Sequence, residues 1–405
     1  MRRLDGRWLL AALLASFVST GSPVRAGDEI LYIETAEVLT GTGKSIEGGK
    51  IVVKNGKITE VGADVRRPRF SKRIDARDRV VTPGFVVPWS HVGLPPAGRR
   101  RGGDRGLQVG TRPGGSPKAE LIINPTAQEI FLGSGITSIA LFSPGTNTGF
   151  RGRAVVITPK GRLAKDLVIQ DTVAAEMVVA AHPTWRKKIG DVVERHEKKQ
   201  DEAKKSGKKK KGKASPTEEV LTGKRPLIVQ LQVAGSNRSA AASWVALDDV
   251  LPLKDMNVSI LETGHVQAMA DELKRVGARV LTYPVLVTAH RTRYAVNRAA
   301  ALEKEKVPYA FILPSDSVGG ATQLRDAAIE MIRTGCSEEK VLAALTSEAA
   351  KAIGMEKKLG SIAKGRRADL LFFDGPPFVP TTSLSSVWVA GEEVELMPIA
   401  QREDS

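Results

Sequence analysis

Between Val258 and Ile332 the apolar positions switch repeatedly between two periods. Val258-Ser259-Ile260-Leu261-Glu262 is a short, mostly apolar run with the pattern of a buried strand. Val266, Met269, Leu273 and Val276 then recur at intervals of three and four and line one face of a helix. Arg279 to Tyr283 reads as the next strand, Ala299 to Lys306 as a helix, Tyr309 to Leu313 as a strand, and Leu324 to Ile332 as a helix. Such alternation with short links makes βαβ units and a parallel sheet. The stretch from Val81 to about Gly354 has room for eight units, since a barrel of this kind takes about 250 residues. The expected core is therefore α/β, a (β/α)8 TIM-like barrel. An open parallel sheet would carry the same pattern.

The two ends of the chain read differently. Leu31-Tyr32-Ile33 and Ile51-Val52-Val53 are strand-forming runs, and Lys54-Asn55-Gly56-Lys57 supplies an Asn-Gly turn into Ile58-Thr59-Glu60-Val61-Gly62. Strand character returns after Ala368, in Asp369-Leu370-Leu371-Phe372-Phe373 and Val387-Trp388-Val389. The expectation is a small β-sandwich domain formed from both chain ends, residues 27–82 and 356–405, around a barrel over 83–355.

Residues 1–26 have a basic head, an apolar stretch from Trp8 to Val18, and a small-x-small end at Val24-Arg25-Ala26, the pattern of a secretory signal. Cleavage after Ala26 would export the protein to the periplasm or beyond, and an uncleaved N-terminal anchor is the alternative. The apolar stretch falls short of the roughly 20 residues that span a bilayer, and no later stretch reaches that length, so no transmembrane segment is expected after signal removal. Cys336 is the only cysteine of the 405 residues, which excludes an internal disulfide. The formal net charge is +16, and half of that excess lies between Arg186 and Lys213, where thirteen basic residues face five acidic ones. The charge thus marks an insertion and not a groove. Basic insertions near 95–117 and 197–216 are expected as mobile loops, because they hold little to bury. No aromatic residues interleave the lysines to stack on bases, so no nucleic-acid partner is expected.

Three segments together resemble one family. Val81-Thr82-Pro83-Gly84-Phe85-Val86-Val87-Pro88-Trp89-Ser90-His91 is similar to the first barrel strand of the amidohydrolase superfamily. Thr346-Ser347-Glu348-Ala349-Ala350 and Gly360-Ser361-Ile362-Ala363-Lys364-Gly365-Arg366-Arg367-Ala368-Asp369-Leu370 resemble its C-terminal return, and Leu313-Pro314-Ser315-Asp316 its eighth strand. The likeness runs from about Leu31 to Val394 and is closest to the imidazolonepropionase-like branch. It implies a metal-dependent hydrolase acting on carbon–nitrogen bonds of a small-molecule substrate. In that family a His-x-His pair on the first strand, histidines on the fifth and sixth, and the eighth-strand aspartate hold one or two divalent metals. A lysine or glutamate on the fourth strand often bridges them. The metal lowers the pKa of bound water towards about 7 and the aspartate takes its proton.

This sequence departs from that pattern. Trp89 replaces the first histidine of the pair, Val87 an aspartate that often precedes it, and Leu227-Ile228-Val229-Gln230-Leu231-Gln232 offers only amides on the fifth strand. No fourth-strand lysine or glutamate stands out. His91, His265 and Asp316 remain, enough for a single Zn-like ion with Asp316 as the base. Each has another use open to it: His91 as a relic, His265 at a helix start, Asp316 as a cap for the next helix. Trp89 would plug the mouth or offer an aromatic platform. His182 and His196 read as surface residues, and His290 as a possible substrate contact. The expectation is an amidohydrolase-like hydrolase with reduced or lost activity. The alternative is a non-catalytic binding or partner protein of the cell envelope.

Overall fold

A computed structural model describes residues 29–92, 121, 124–143, 149–180, 184–206, 216–232, 237–262, 266–288 and 292–395. The leader at 1–26, the insertion near 95–117, and His182, His265 and His290 lie outside these residues. Among the described residues no helix is long and apolar enough to cross a membrane.

The first strands are β1 (Ile30–Leu39), β2 (Ser45–Glu47), β3 (Lys50–Lys54), β4 (Lys57–Gly62) and β5 (Lys72–Pro83). Asn55 and Gly56 join β3 to β4 with φ of 50° and 73°. Two positive φ values in a two-residue hairpin are what an Asn-Gly pair tolerates. The barrel strands follow: β6 (Phe85–Ser90), β7 (Ile136–Leu141), β8 (Gly149–Arg153), β9 (Val155–Ile157), β10 (Val168–Gln170), β11 (Ala175–Ala180), β12 (Leu227–Gln232), β13 (Val258–Leu261) and β14 (Arg279–Thr282). A small hairpin of β15 (Leu286–Thr288) and β16 (Ala295–Asn297) precedes β17 (Tyr309–Phe311), and the chain closes with β18 (Leu370–Phe373), β19 (Leu384–Val389) and β20 (Glu392–Val394).

Both chain ends meet in one eight-stranded sheet, because β5 pairs in parallel with β1 and antiparallel with β18. Leu31, Ile33, Ile51, Ile58, Val81, Phe372 and Trp388 pack one core there. The pairing joins these strands in one sheet and does not divide them into the two facing sheets of a sandwich.

The central strands fall into a six-stranded sheet, with β11, β12, β13, β14 and β17 parallel in that order, and a four-stranded sheet holding β6 and β7. Alternate residues face two cores. Phe85, Val87, Ile139, Met177, Val229, Ile260 and Phe311 pack against the helices, while Val86, Trp89, Ala140, Ile228, Leu261, Leu281 and Ala310 pack against each other. Burial on both faces is why these strands read as apolar runs and not as alternating patterns. The closed eight-strand ring expected from the alternation is not seen in the pairing of the described residues. Where a third regular unit was expected, β9 pairs antiparallel with β7 and β10 antiparallel with β9. Even so, the C-terminal ends of β6 and β17 meet through side chains.

Two expectations about the basic helix region are corrected. Lys198 to Ser206 is helix and not loop, as the end of Thr184–Ser206. Lysine, glutamate and glutamine lose little freedom in a helix, and Glu194 meets Lys198 one turn on at 2.8 Å, a spacing that supports helix formation. Residues 207–215 lie outside the described set. His196 is not a surface residue: its side chain is 11% exposed, with Nε2 2.8 Å from Gln200 and Nδ1 3.9 Å from Glu218.

At the end of the strands away from the mouth, Glu348 accepts from Arg279 at 2.9 Å and from Lys351 at 2.6 Å. Burial pushes the Glu348 carboxyl up, but the two cations outweigh it and hold it below its ordinary 4.5. A depressed carboxylate stabilises the fold above its unfolded value and loses that contribution as pH falls through its folded one. Glu348→Gln should therefore lower the melting temperature at pH 7, and the gap to wild type should close below about pH 4. Thermal melts of both proteins across that range test this, and a constant gap would refute it.

Candidate functional site

The mouth is built at the C-terminal ends of the strands, where loops are free to carry polar groups. Trp89, Ser90 and His91 close β6. The Trp89 side chain turns inward, 7% exposed, and its indole Nε1 donates to Glu176 Oε1 at 3.1 Å. Glu176 lies on β11, the parallel neighbour that precedes β12, and is 1% exposed. It is a buried carboxylate near the start of that strand, and sequence reading did not single it out. The signal was there: one acidic residue inside the apolar run Ala175-Glu176-Met177-Val178-Val179.

Asp316 follows β17. Ser317, and not Asp316, caps the helix Val318–Arg333, accepting from the Gly320 amide at 3.1 Å. That leaves Asp316 to face β6. The Ser90 hydroxyl donates to Oδ1 at 2.6 Å, the His91 amide donates to both oxygens at 3.1–3.2 Å, and His91 Nδ1 lies 3.2 Å from Oδ2. Burial pushes the Asp316 carboxyl up, but the His91 imidazole, the Ser90 hydroxyl and the His91 amide together hold it below the usual carboxylate range. Asp316 is thus an anion with its oxygens already engaged by protein donors. The His91 ring stands edge-on to Trp89 with centroids 4.5 Å apart, and its Nε2 has no hydrogen-bond partner among the described residues.

A third carboxylate completes the set. Glu262, just beyond β13, has a side chain 2% exposed and accepts from the Arg298 guanidinium and the Thr282 hydroxyl. Tyr283 lies within electrostatic reach of both Asp316 and Glu262. Burial, with the charges of Asp316 and Glu262, pushes its phenol above the ordinary value. Of the expected site residues, His91 and Asp316 come together, while His265 lies outside the described residues.

These residues do not fit a two-metal centre. An indole N–H stands where the resemblance implied the first imidazole of the pair, and it offers a proton to the Glu176 carboxylate where a cation would offer charge. Among the described residues no group of three or more His, Cys, Asp or Glu is arranged to hold a metal. His91 and Asp316 are of the right chemistry for one divalent ion, and a third ligand would have to come from elsewhere.

The model of the Amidohydrolase family matches residues 254–397, which include Glu262, Asp316 and the C-terminal return but not Trp89 or His91. A dihydroorotase from Anaeromyxobacter dehalogenans (strain 2CP-C) is 42% identical over 59 residues, and an imidazolonepropionase from Shewanella woodyi is 38% identical over 78. The matched stretches cover 14% and 18% of this chain, and only 13% and 18% of those relatives. The crystal structure of an amidohydrolase from Thermotoga maritima MSB8 superposes with a TM-score of 0.70 at 22% identity, over 91% of this chain and 100% of that one. The C-terminal third of the chain thus matches the Amidohydrolase family, and the chain as a whole shares the fold of a solved amidohydrolase. The fold likeness extends over nearly the whole chain, whereas the sequence likeness is concentrated in its C-terminal part. Within this amidohydrolase-type fold, the departure at Trp89 sits where the resemblance implied histidine.

Proposed function

We propose that this chain is an amidohydrolase-family protein that has given up the two-metal route to carbon–nitrogen hydrolysis and serves as a non-catalytic binding or partner protein on that scaffold. The observation that carries this reading is the bond from Trp89 to Glu176 at 3.1 Å. An indole nitrogen has no in-plane lone pair and cannot ligate a metal, and its hydrogen stabilises a buried carboxylate in place of one. The same exchange recurs at Asp316, engaged by Ser90 and His91, and at Glu262, engaged by Arg298 and Thr282. All three acids, Glu176, Glu262 and Asp316, are served by protein donors.

A second reading keeps the hydrolase. The approach of His91 to Asp316 at 3.2 Å favours it, together with relatives, dihydroorotase and imidazolonepropionase, that act on carbon–nitrogen bonds. His91, His265 and Asp316 would then hold one Zn-like ion, which when bound supplies a water acidified towards about pH 7. Asp316 would take the proton, and Arg298 and Tyr283 would face a small polar substrate.

Metal analysis of protein purified without chelators, with a panel of cyclic amides and amino-purines, separates the two. The first reading expects well under one metal per chain and no turnover. One metal per chain and turnover, both lost in Asp316→Ala, would establish the second. Two tightly held metals would overturn both.

A further inference from the structure

The β4–β5 connection presents an apolar residue that the fold does not use. Phe70 is fully exposed, at 101% of its reference area, and has φ of +62°. A bulky side chain in the left-handed region is uncommon and costs energy, so it persists only where the surroundings impose it. They do so here. Ser71 is buried, its hydroxyl donates to Pro68 O at 2.8 Å, and Arg67 grips it through Nε to the hydroxyl at 3.2 Å and a terminal nitrogen to the carbonyl at 2.8 Å. Tyr32 anchors the start of the loop by donating to Val65 O at 3.3 Å. The turn is thus braced from within, and the phenyl ring is held outward.

The flanks are basic. Arg66, Arg69 and Lys72 are exposed and have no ion-pair or hydrogen-bond partner among the described residues. Arg67 is spent on the turn and Arg73 on Glu34. Asp64 is the one acid from Ala63 to Lys72. The result is an exposed aromatic side chain on a hydrogen-bonded turn, flanked in sequence by three unspent cations.

We propose that this loop docks the protein on an anionic lipid bilayer, with Phe70 entering the headgroup region and Arg66, Arg69 and Lys72 meeting lipid phosphates. A fully exposed ring flanked by cations suits a soft anionic plane better than a folded partner, which would need a pocket for the ring and carboxylates arranged round it. A bilayer supplies an apolar layer directly beneath a sheet of negative charge. Aromatic residues settle at that boundary, and basic residues beside them gain from the anionic surface. Because the turn is already braced, little order is lost on docking.

Co-sedimentation of the full chain with vesicles of phosphatidylcholine, alone or mixed with phosphatidylglycerol, tests the assignment. Binding to the mixed vesicles and not to the neutral ones is expected. Phe70→Ala should weaken partitioning about tenfold, as loss of one buried phenyl would. Reversal of Arg66, Arg69 and Lys72 to Glu should weaken it more than about tenfold. Phe70→Gly suits the turn and should raise thermal stability while losing binding, which separates docking from folding. The assignment is overturned if the mixed vesicles are not bound, if Phe70→Ala binds as wild type does, or if binding is lost only when Lys208–Lys211 are neutralised.

Discussion

Arg298→Ala should unfold at a markedly lower temperature than wild type. Its guanidinium is the cation for Glu262, whose side chain is 2% exposed and whose other oxygen takes the Thr282 hydroxyl. Truncation leaves a carboxylate enclosed without a counter-charge, and such losses run to about 3–5 kcal/mol. At about 2.1 cal/mol/K per residue a chain of 405 residues moves its midpoint by roughly 1 °C per kcal/mol, so a fall of about 3–6 °C is expected. The double variant Arg298→Ala with Glu262→Gln should recover a good part of it, because a neutral amide can stay buried beside Thr282 without a cation. Melts of the three proteins at pH 7 decide the matter. If the single variant melts with wild type, the pair does not hold the mouth together.

On the non-catalytic reading, Trp89→His should make the mouth responsive to zinc. The change restores an imidazole two residues before His91 and withdraws the indole hydrogen from Glu176, whose oxygen accepts it at 3.1 Å. Without metal the variant should lose about 3 kcal/mol, because a large buried ring is replaced by a smaller one. With zinc it should regain stability by mass action, since an ion that binds only the folded state stabilises it. Wild type should show no comparable rise. Trp89→Phe keeps an aromatic ring, removes the donor and adds no ligand, so it should be destabilised and indifferent to zinc. Equal zinc dependence of the melting temperature in wild type and Trp89→His would sink this account of the site.

Much of this was legible in the sequence because local patterns and tertiary structure agree. Asn55-Gly56 dictates its hairpin, and Val266, Met269, Leu273 and Val276 are all buried on one face as their spacing requires. His91 and Asp316 could be paired only through the family resemblance, since 225 residues separate them and no local rule joins them. Glu176 was overlooked because β8 to β11 are short and their order in the sheets departs from regular alternation, which blurred the strand count. The lysine-rich helix was misread for a different reason. Composition that cannot build a core can still build a helix when its charges fall one turn apart, as Glu194 and Lys198 do. Closure of the barrel was illegible because periodicity fixes which face of a strand is buried but not which strands become neighbours.

The parallel strand β5 has β1 on one side and β18 on the other, with Val80 to Pro83 facing Leu370 to Phe373. During synthesis this edge has no partner until almost the whole chain has emerged. Hydrogen-bonding groups flanked by Val80 and Val81 therefore stand open through most of translation, in the form that invites pairing with other nascent chains. Such a topology makes the assembly of the sheet a late, long-range step, slow by the rule that distant contacts close last. Any chain that ends before Leu370 would carry that open edge permanently. Its fate would then be set by chaperones and proteases and not by the mouth of the barrel.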